Sequence, residues 1–209
     1  MIRRPPRSTR KESSAASDVY KRQDQLEKEN PMAAFETLKL TQREGVCFVT
    51  IDNPPVNVMT PRLYQELVAV TEQLEGDYGL RLVVFQFAEP DFFIAHFDFN
   101  AILTFPSDTP SVKAETLSPF HMVCERVRTM PKATIVKMAG RAGGGGNEFA
   151  ATCDMRFGVR HKTIINQMEV PLGILPGGSG TKRLPRLVGR GRALETCLGG
   201  DDIDAETCE

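Results

Sequence analysis

The sequence is poor in the residue patterns that metal sites, disulfide scaffolds and membrane spans require. Its three histidines, His96, His121 and His161, form no HxxxH or HxH pair, so a metal-dependent mechanism is not expected. The five cysteines, Cys47, Cys124, Cys153, Cys197 and Cys208, are odd in number, scattered and without a CxxC. They argue against a disulfide framework or a zinc site and fit a reducing compartment. No stretch approaches the ~20 apolar residues that cross a bilayer, and the N-terminus has no apolar signal-peptide core, so a soluble protein is expected. Lys and Arg total 26 against 27 Asp and Glu, a net charge of -1 that supplies no global basic field for nucleic acid or an anionic membrane.

What is present suits one soluble domain: 209 residues, 41% hydrophobic and 25% charged, are enough for one sizeable core. Residues 1–31 stand apart. Their first eleven positions carry five basic and no acidic residues, a Ser/Ala patch follows, and no apolar period is sustained. They read as a disordered or extraneous leader, with Met32 before AAFETLKL as a natural start. The other reading is a mitochondrial transit peptide, although Pro5-Pro6 interrupts the amphipathic helix that import needs. The expected location is cytoplasmic, or the mitochondrial matrix if the leader is native. Residues 32–209 are the expected folded domain. It stops at DDIDAETCE, where a helix starting over Asp204 to Glu206 would end before two turns, so the domain reads as C-terminally incomplete.

Within that domain, residues 35–41 and 46–52 are apolar or alternating and β-branched, with Glu44-Gly45 between them, which predicts a β-hairpin. Thr60 before Pro61 is a helix N-cap, and Leu63, Leu67, Val70 and Leu74 recur at helical spacing. Arg81 to Phe87 and Ala133 to Met138 are short apolar runs suited to strands buried on both faces, with a helix-like segment over 117–129 between them. Strands alternating with helices imply right-handed crossovers and an α/β architecture. Residues 140–160 predict a glycine loop, a short apolar helix around Glu148 to Cys153 and a strand around Met155 to Val159.

The chemistry concentrates in that loop. In GRAGGGGNE, residues 140–148, four consecutive glycines lead from a strand into a helix, where main-chain N–H groups can approach a ligand and stabilise a developing oxyanion. A glycine run alone reads as readily as a flexible or tightly packed loop. Nucleotide readings fail on spacing. The chain offers Gly180-Thr181-Lys182 where a Walker loop needs Gly-Lys then Ser or Thr, and no GxGxxG is joined to an acidic residue after a following strand.

Four ordered segments then carry a resemblance: NPPVNVMT (53–60), FFIAHFDFNAI (92–102), GRAGGGGNEFAATCD (140–154) and INQMEVPLGILPGGSGTKRLPRLVG (165–189). Together they resemble the crotonase, or enoyl-CoA hydratase/isomerase, family over about residues 35–209. The resemblance implies an α/β fold with a crotonase-like (ClpP/crotonase) ββα spiral core, truncated before the family's C-terminal helices. It places the two proton-transferring carboxylates at Glu148 and Glu169 and the oxyanion-hole amides at Gly145 and Phe97. The segment Ala95, His96, Phe97 and Asp98, with Gly145, would bind coenzyme A. His96 and Phe97 are bulkier than the family's usual residues there and are expected to narrow or reshape the acyl pocket. Coenzyme A enters as part of the substrate, so no separate cofactor is implied, and the full-length parent is expected to be a homotrimer or hexamer.

The activity implied is a lyase adding water to a 2-enoyl-CoA thioester. A double-bond isomerase on the same scaffold is the alternative, and a non-catalytic acyl-CoA-binding homologue is a third reading. Hydrolases, dehalogenases and decarboxylases also occur in the superfamily. Of the other polar residues, Asp98 and Asp154 are expected to orient loops, Cys153 to fill core space, and Arg183 and Arg186 to make surface contacts. His121 is expected to be partly buried on its helix.

Overall fold

The computed structural model describes residues 35–105 and 115–209; the expected leader lies outside them. Strands β1 (Leu38–Arg43) and β2 (Val46–Ile51) form the predicted hairpin, paired antiparallel from Leu38 with Ile51 to Arg43 with Val46. Its turn residues Glu44 and Gly45 both have positive φ, 51° and 77°, the geometry whose twist suits two paired strands. Helix α1 (Pro61–Gly76) follows. Thr60 Oγ1 accepts from Leu63 N at 3.2 Å, and the stripe Leu63, Leu67, Val70 and Leu74 is fully buried. Each of these side chains contributes roughly 1.5–3 kcal/mol by leaving water.

The same strand–strand–helix order repeats along the chain. After β3 (Leu82–Phe87) and β4 (Phe92–Ile94) come α2 (Phe99–Ile102) and α3 (Pro119–Thr129); after β5 (Ala133–Met138) and β6 (Arg141–Gly143) comes α4 (Gly145–Ala150). Strands β7 (Met155–Gly158) and β8 (Ile164–Asn166), then a 3₁₀ turn at Val170–Leu172, lead to α5 (Gly180–Gly199) and β9 (Ile203–Asp204). From β3 onward the first strand of each repeat joins a five-stranded sheet ordered β1-β2-β3-β5-β7. The second joins a four-stranded sheet ordered β4-β6-β8-β9. Pairings are parallel except β1 with β2 and β8 with β9. This is the expected α/β ββα spiral.

An aromatic triad joins the layers. Phe85 on β3, Phe93 on β4 and Phe149 on α4 are all fully buried. Phe149 lies edge-on to Phe85 at 5.1 Å and stacked on Phe93 at 6.5 Å. The short helix next to the glycine run is thus fixed against both sheets.

Three expectations differ from the structure. Strand β5 is not buried on both faces: Thr134, Val136 and Met138 are buried while Ala133 and Lys137 are exposed. The helix after the glycine run spans Gly145–Ala150 rather than 148–153, because β6 takes up residues 141–143 and the helix starts within the glycines. Asp204 to Glu206 does not begin a helix. Ile203 and Asp204 pair antiparallel with β8, and Asp204 Oδ1 accepts from Thr207 N at 2.8 Å in the turn that follows. Backbone pairing to a strand 38 positions away outweighs the local helix-start signal there, since Ile165 pairs with Ile203. Truncating one side chain of the α1 stripe, Leu67→Ala, should cost about 2–5 kcal/mol in denaturant unfolding, because the void forms at a fully buried position.

Candidate active site

The chain turns from β6 into α4 at Gly144, which has φ 48° and ψ -119°. A side chain there is excluded twice over. The backbone lies in the region that favours glycine, and an added Cβ would come within 2.7 Å of Glu169 Oε1. Gly145 opens the helix, and an added Cβ on it would meet Phe97 Cβ at 3.6 Å, so the glycine run and the Phe97 segment are neighbours. Phe97 is held by a bridge to Met59: Met59 N donates to His96 O at 2.9 Å and Asp98 N to Met59 O at 3.2 Å. That pairing turns the Phe97 N–H away from Met59. Neither the Phe97 nor the Gly145 amide has an acceptor among the described residues.

Glu148, in the first turn of α4, is only 3% exposed. Its Oε1 accepts from Ser179 N at 2.9 Å and Gly180 N at 2.8 Å, the free amides where α5 begins. Burial pushes its carboxyl up to about 7; the Gly180 hydrogen bond pulls down and the Glu169 charge pushes further up. Gly178 leaves room for this carboxylate, since an added Cβ would sit 2.1 Å from Oε2. Glu169 is buried too. Burial raises its carboxyl above the ordinary range, against a backbone N–H and the Gln167 amide, whose Nε2 donates to Oε2 at 3.1 Å. Gln167 Oε1 in turn accepts from Asn147 Nδ2 at 2.7 Å. A buried relay therefore runs from the residue beside one carboxylate to the other.

Glu148, Glu169, Gly145 and Phe97 share the wall of one cavity of about 870 Å³. The other expected ligand-binding positions lie outside that wall. Ala95 is buried behind it, His96 stacks on Phe99 at 4.3 Å, and Asp98 caps α2 by accepting from Asn100 N at 2.8 Å. Of the two bulky residues expected to shape the pocket, only Phe97 reaches it.

Behind the start of α5 lies a second polar chain. Arg183 Nε donates to Ser179 Oγ at 3.2 Å, and its Nη2 donates to Glu125 Oε1 on α3 at 2.7 Å. Arg183 is thus an internal tie with 11% of its side chain exposed, not the surface contact expected of it. Ser179 is the strained member: φ is 143° at a non-glycine residue that is 2% exposed. His121 is partly buried as expected, its Nδ1 2.7 Å from Ser118 Oγ. Asp154 Oδ2 receives Thr134 N at 2.8 Å, fixing the loop after α4 to β5. Burial pushes the Cys124 and Cys153 thiols up to about 12, so neither is a thiolate nucleophile.

Sequence reasoning missed Asn147, Gln167, Ser179 and Gly180. Gln167 stood beside its carboxylate in Gln-x-Glu, and the Pro-Gly-Gly-Ser-Gly run before α5 signalled a helix start, but neither pattern says which carboxylate it serves.

Glu148 titrates near 7 in the fold against an ordinary 4.5, so between those values the folded state holds a proton that the unfolded chain has released. The native protein should therefore lose about 3 kcal/mol of stability from this group as pH rises through that window. Glu148→Gln should flatten the loss, as read from denaturant melts at about pH 5 and about pH 7.5. Tyr64 Oη is buried without a hydrogen-bond partner among the described residues, so Tyr64→Phe should leave the melting temperature unchanged or raise it.

The sequence profile of the enoyl-CoA hydratase/isomerase family matches residues 41–209. A Bacillus subtilis (strain 168) protein named as a probable enoyl-CoA hydratase is 34% identical over 173 residues, which are 82% of this chain and 65% of the relative. The crystal structure of an enoyl-CoA hydratase candidate from Streptomyces avermitilis is 40% identical, with a TM-score of 0.74 over 84% of this chain and 65% of its own. DspI of Pseudomonas aeruginosa is 27% identical, also at 0.74, over 87% and 72%. The chain thus spans slightly less than two thirds of the first two of these relatives. The profile match takes in every strand and helix that supports the two buried carboxylates, and the chain belongs to the enoyl-CoA hydratase/isomerase, or crotonase, family.

Proposed function

We propose that the chain is a hydratase for 2-enoyl-CoA thioesters, with Glu148 and Glu169 as its catalytic carboxylates. The observation that carries this reading is the meeting, on one cavity wall, of two buried carboxylates, both with raised pKa, and two backbone amides without an acceptor among the described residues. As water adds to C3, the π electrons move toward C2 and charge gathers on the thioester oxygen. The Gly145 and Phe97 amides would receive that oxygen, each worth about 3–4 kcal/mol when preorganised.

One carboxylate, ionised, takes a proton from water as its oxygen bonds to C3; the other, protonated, delivers its proton to C2. The product is a 3-hydroxyacyl thioester, and the two carboxylates have exchanged protonation states. A pair that holds one proton between them suits this step, and the raised carboxyls keep that state populated near neutral pH. The electrons of the reaction stay within the substrate, so no redox group is called for, and coenzyme A serves as the handle of the substrate.

Glu148→Gln and Glu169→Gln should each lower kcat for hydration of crotonyl-CoA or a longer enoyl-CoA by about 100-fold or more, followed as loss of enoyl absorbance. Hydration that survives in either variant would sink the two-carboxylate mechanism. Double-bond migration lost in only one variant would instead indicate an isomerase. A native chain that binds acyl-CoA but exchanges no deuterium at C2 would be a binding protein.

A further inference from the structure

The cavity has a reactive end and an apolar body. Besides Glu148 and Glu169, its wall includes three hydroxyl-bearing side chains, Tyr64, Thr104 and Ser118, and the last two are hydrogen-bonded within the chain. Thr104 Oγ1 donates to Ala101 O at 2.7 Å, and Ser118 Oγ lies 2.7 Å from His121 Nδ1. Tyr64 lends its ring to the wall while its Oη is buried. A polar acyl tail entering this body would give up its hydration for the leftover acceptor capacity of two hydroxyls already hydrogen-bonded within the chain, since Tyr64 Oη is buried.

The body offers aromatic surface instead. Tyr64, Phe120, Phe97 and Phe105 form a connected arc in the wall. Phe97 is 6.3 Å from Phe105 and 6.4 Å from Phe120, and Phe120 is 6.4 Å from Tyr64, at interplanar angles of 51°, 86° and 42°. The Phe97–Phe120 pair stands edge to face, while Phe105 and Tyr64 are tilted against their neighbours, so the arc brings ring faces and ring edges together in one wall. A planar ring seated in the arc meets edges and faces together and has few rotors to freeze. A linear alkyl chain of similar reach loses several rotors and gains contact area alone. The arc starts at Phe97, whose amide is assigned above to the thioester oxygen, so a ring held there belongs near the reacting end, on C3.

We infer that the site selects 2-enoyl-CoA thioesters carrying an apolar aryl group on C3 over those with linear alkyl or hydroxyl-bearing tails. The inference rests on the acyl-CoA reading above and goes beyond it in naming the tail.

Calorimetry with three saturated, unreactive ligands tests it separately from turnover: 3-phenylpropanoyl-CoA, hexanoyl-CoA and 3-(4-hydroxyphenyl)propanoyl-CoA. The native chain should bind the first about tenfold more tightly than either of the others. Phe120→Leu should cut that ratio to about threefold or less. Phe105→Leu, at a ring 58% exposed and so not needed for folding, should lower it in the same direction. Equal or tighter binding of the hexanoyl or hydroxylated ligand overturns the inference, as does a ratio that neither variant moves. If the expected order holds while cinnamoyl-CoA and 2-hexenoyl-CoA are both left unhydrated, the hydratase reading fails and the tail preference stands. If both are hydrated without any preference in binding, the reverse is true. If none of the three ligands binds, both fall.

Discussion

Glu148 accepts two hydrogen bonds from the first amides of α5, and the geometry of that contact reaches into most of the molecule. A carboxylate removed from water to this degree is costly unless donors are fixed around it, and backbone amides at a helix start are fixed donors. They have to be presented at the right place. Helix α4 brings the carboxylate from one side, held by Phe149 between the two sheets, and α5 brings the amides from the other. The donors are too few to cancel burial entirely, which is why the carboxyl titrates near 7 rather than near 4.5. The same imbalance weakens the fold as pH rises from about 4.5 to about 7.

Glu169 is handled differently. It has a side-chain donor, Gln167, which is itself held by Asn147 one residue before Glu148. The buried Asn147–Gln167 bond joins segments that are 20 positions apart in the chain and come together because β6 and β8 pair in parallel. The side-chain support of Glu169 is therefore anchored on the helix that carries Glu148. The space for Glu169 also depends on Gly144, so the glycine run has two duties here, presenting an amide and leaving a carboxylate room.

The larger elements were legible where burial leaves a periodic mark. The α1 stripe and the β1–β2 hairpin follow from spacing and turn residues alone, and the runs at β3 and β5 announced strands even though β5 turned out to be covered on one face. The second sheet left no such mark. Its strands are two or three residues long, too short for alternation to show, and their pairing partners are remote in sequence. Glu148 and Glu169 could be named from motif resemblance, and the structure brings both to one cavity. Their hydrogen-bond partners could not be named, because a backbone amide such as that of Ser179 or Gly180 has no residue-type signature. The aromatic arc was hidden for a related reason: Tyr64, Phe97, Phe105 and Phe120 come from different segments, and each alone reads as ordinary core or surface.

Ser179 occupies a backbone region that glycine would enter at less cost, and strain of this kind is roughly 1–3 kcal/mol. What serine has and glycine lacks is the hydroxyl that receives Arg183, which also donates to Glu125 on α3. Helix α3 also supplies Phe120 to the cavity wall. Phe120 and the Ser179 amide on Glu148 therefore stand at the two ends of one hydrogen-bonded strut. The wall that would face a guest and the donor that steadies the buried carboxylate are parts of one brace rather than separate fittings.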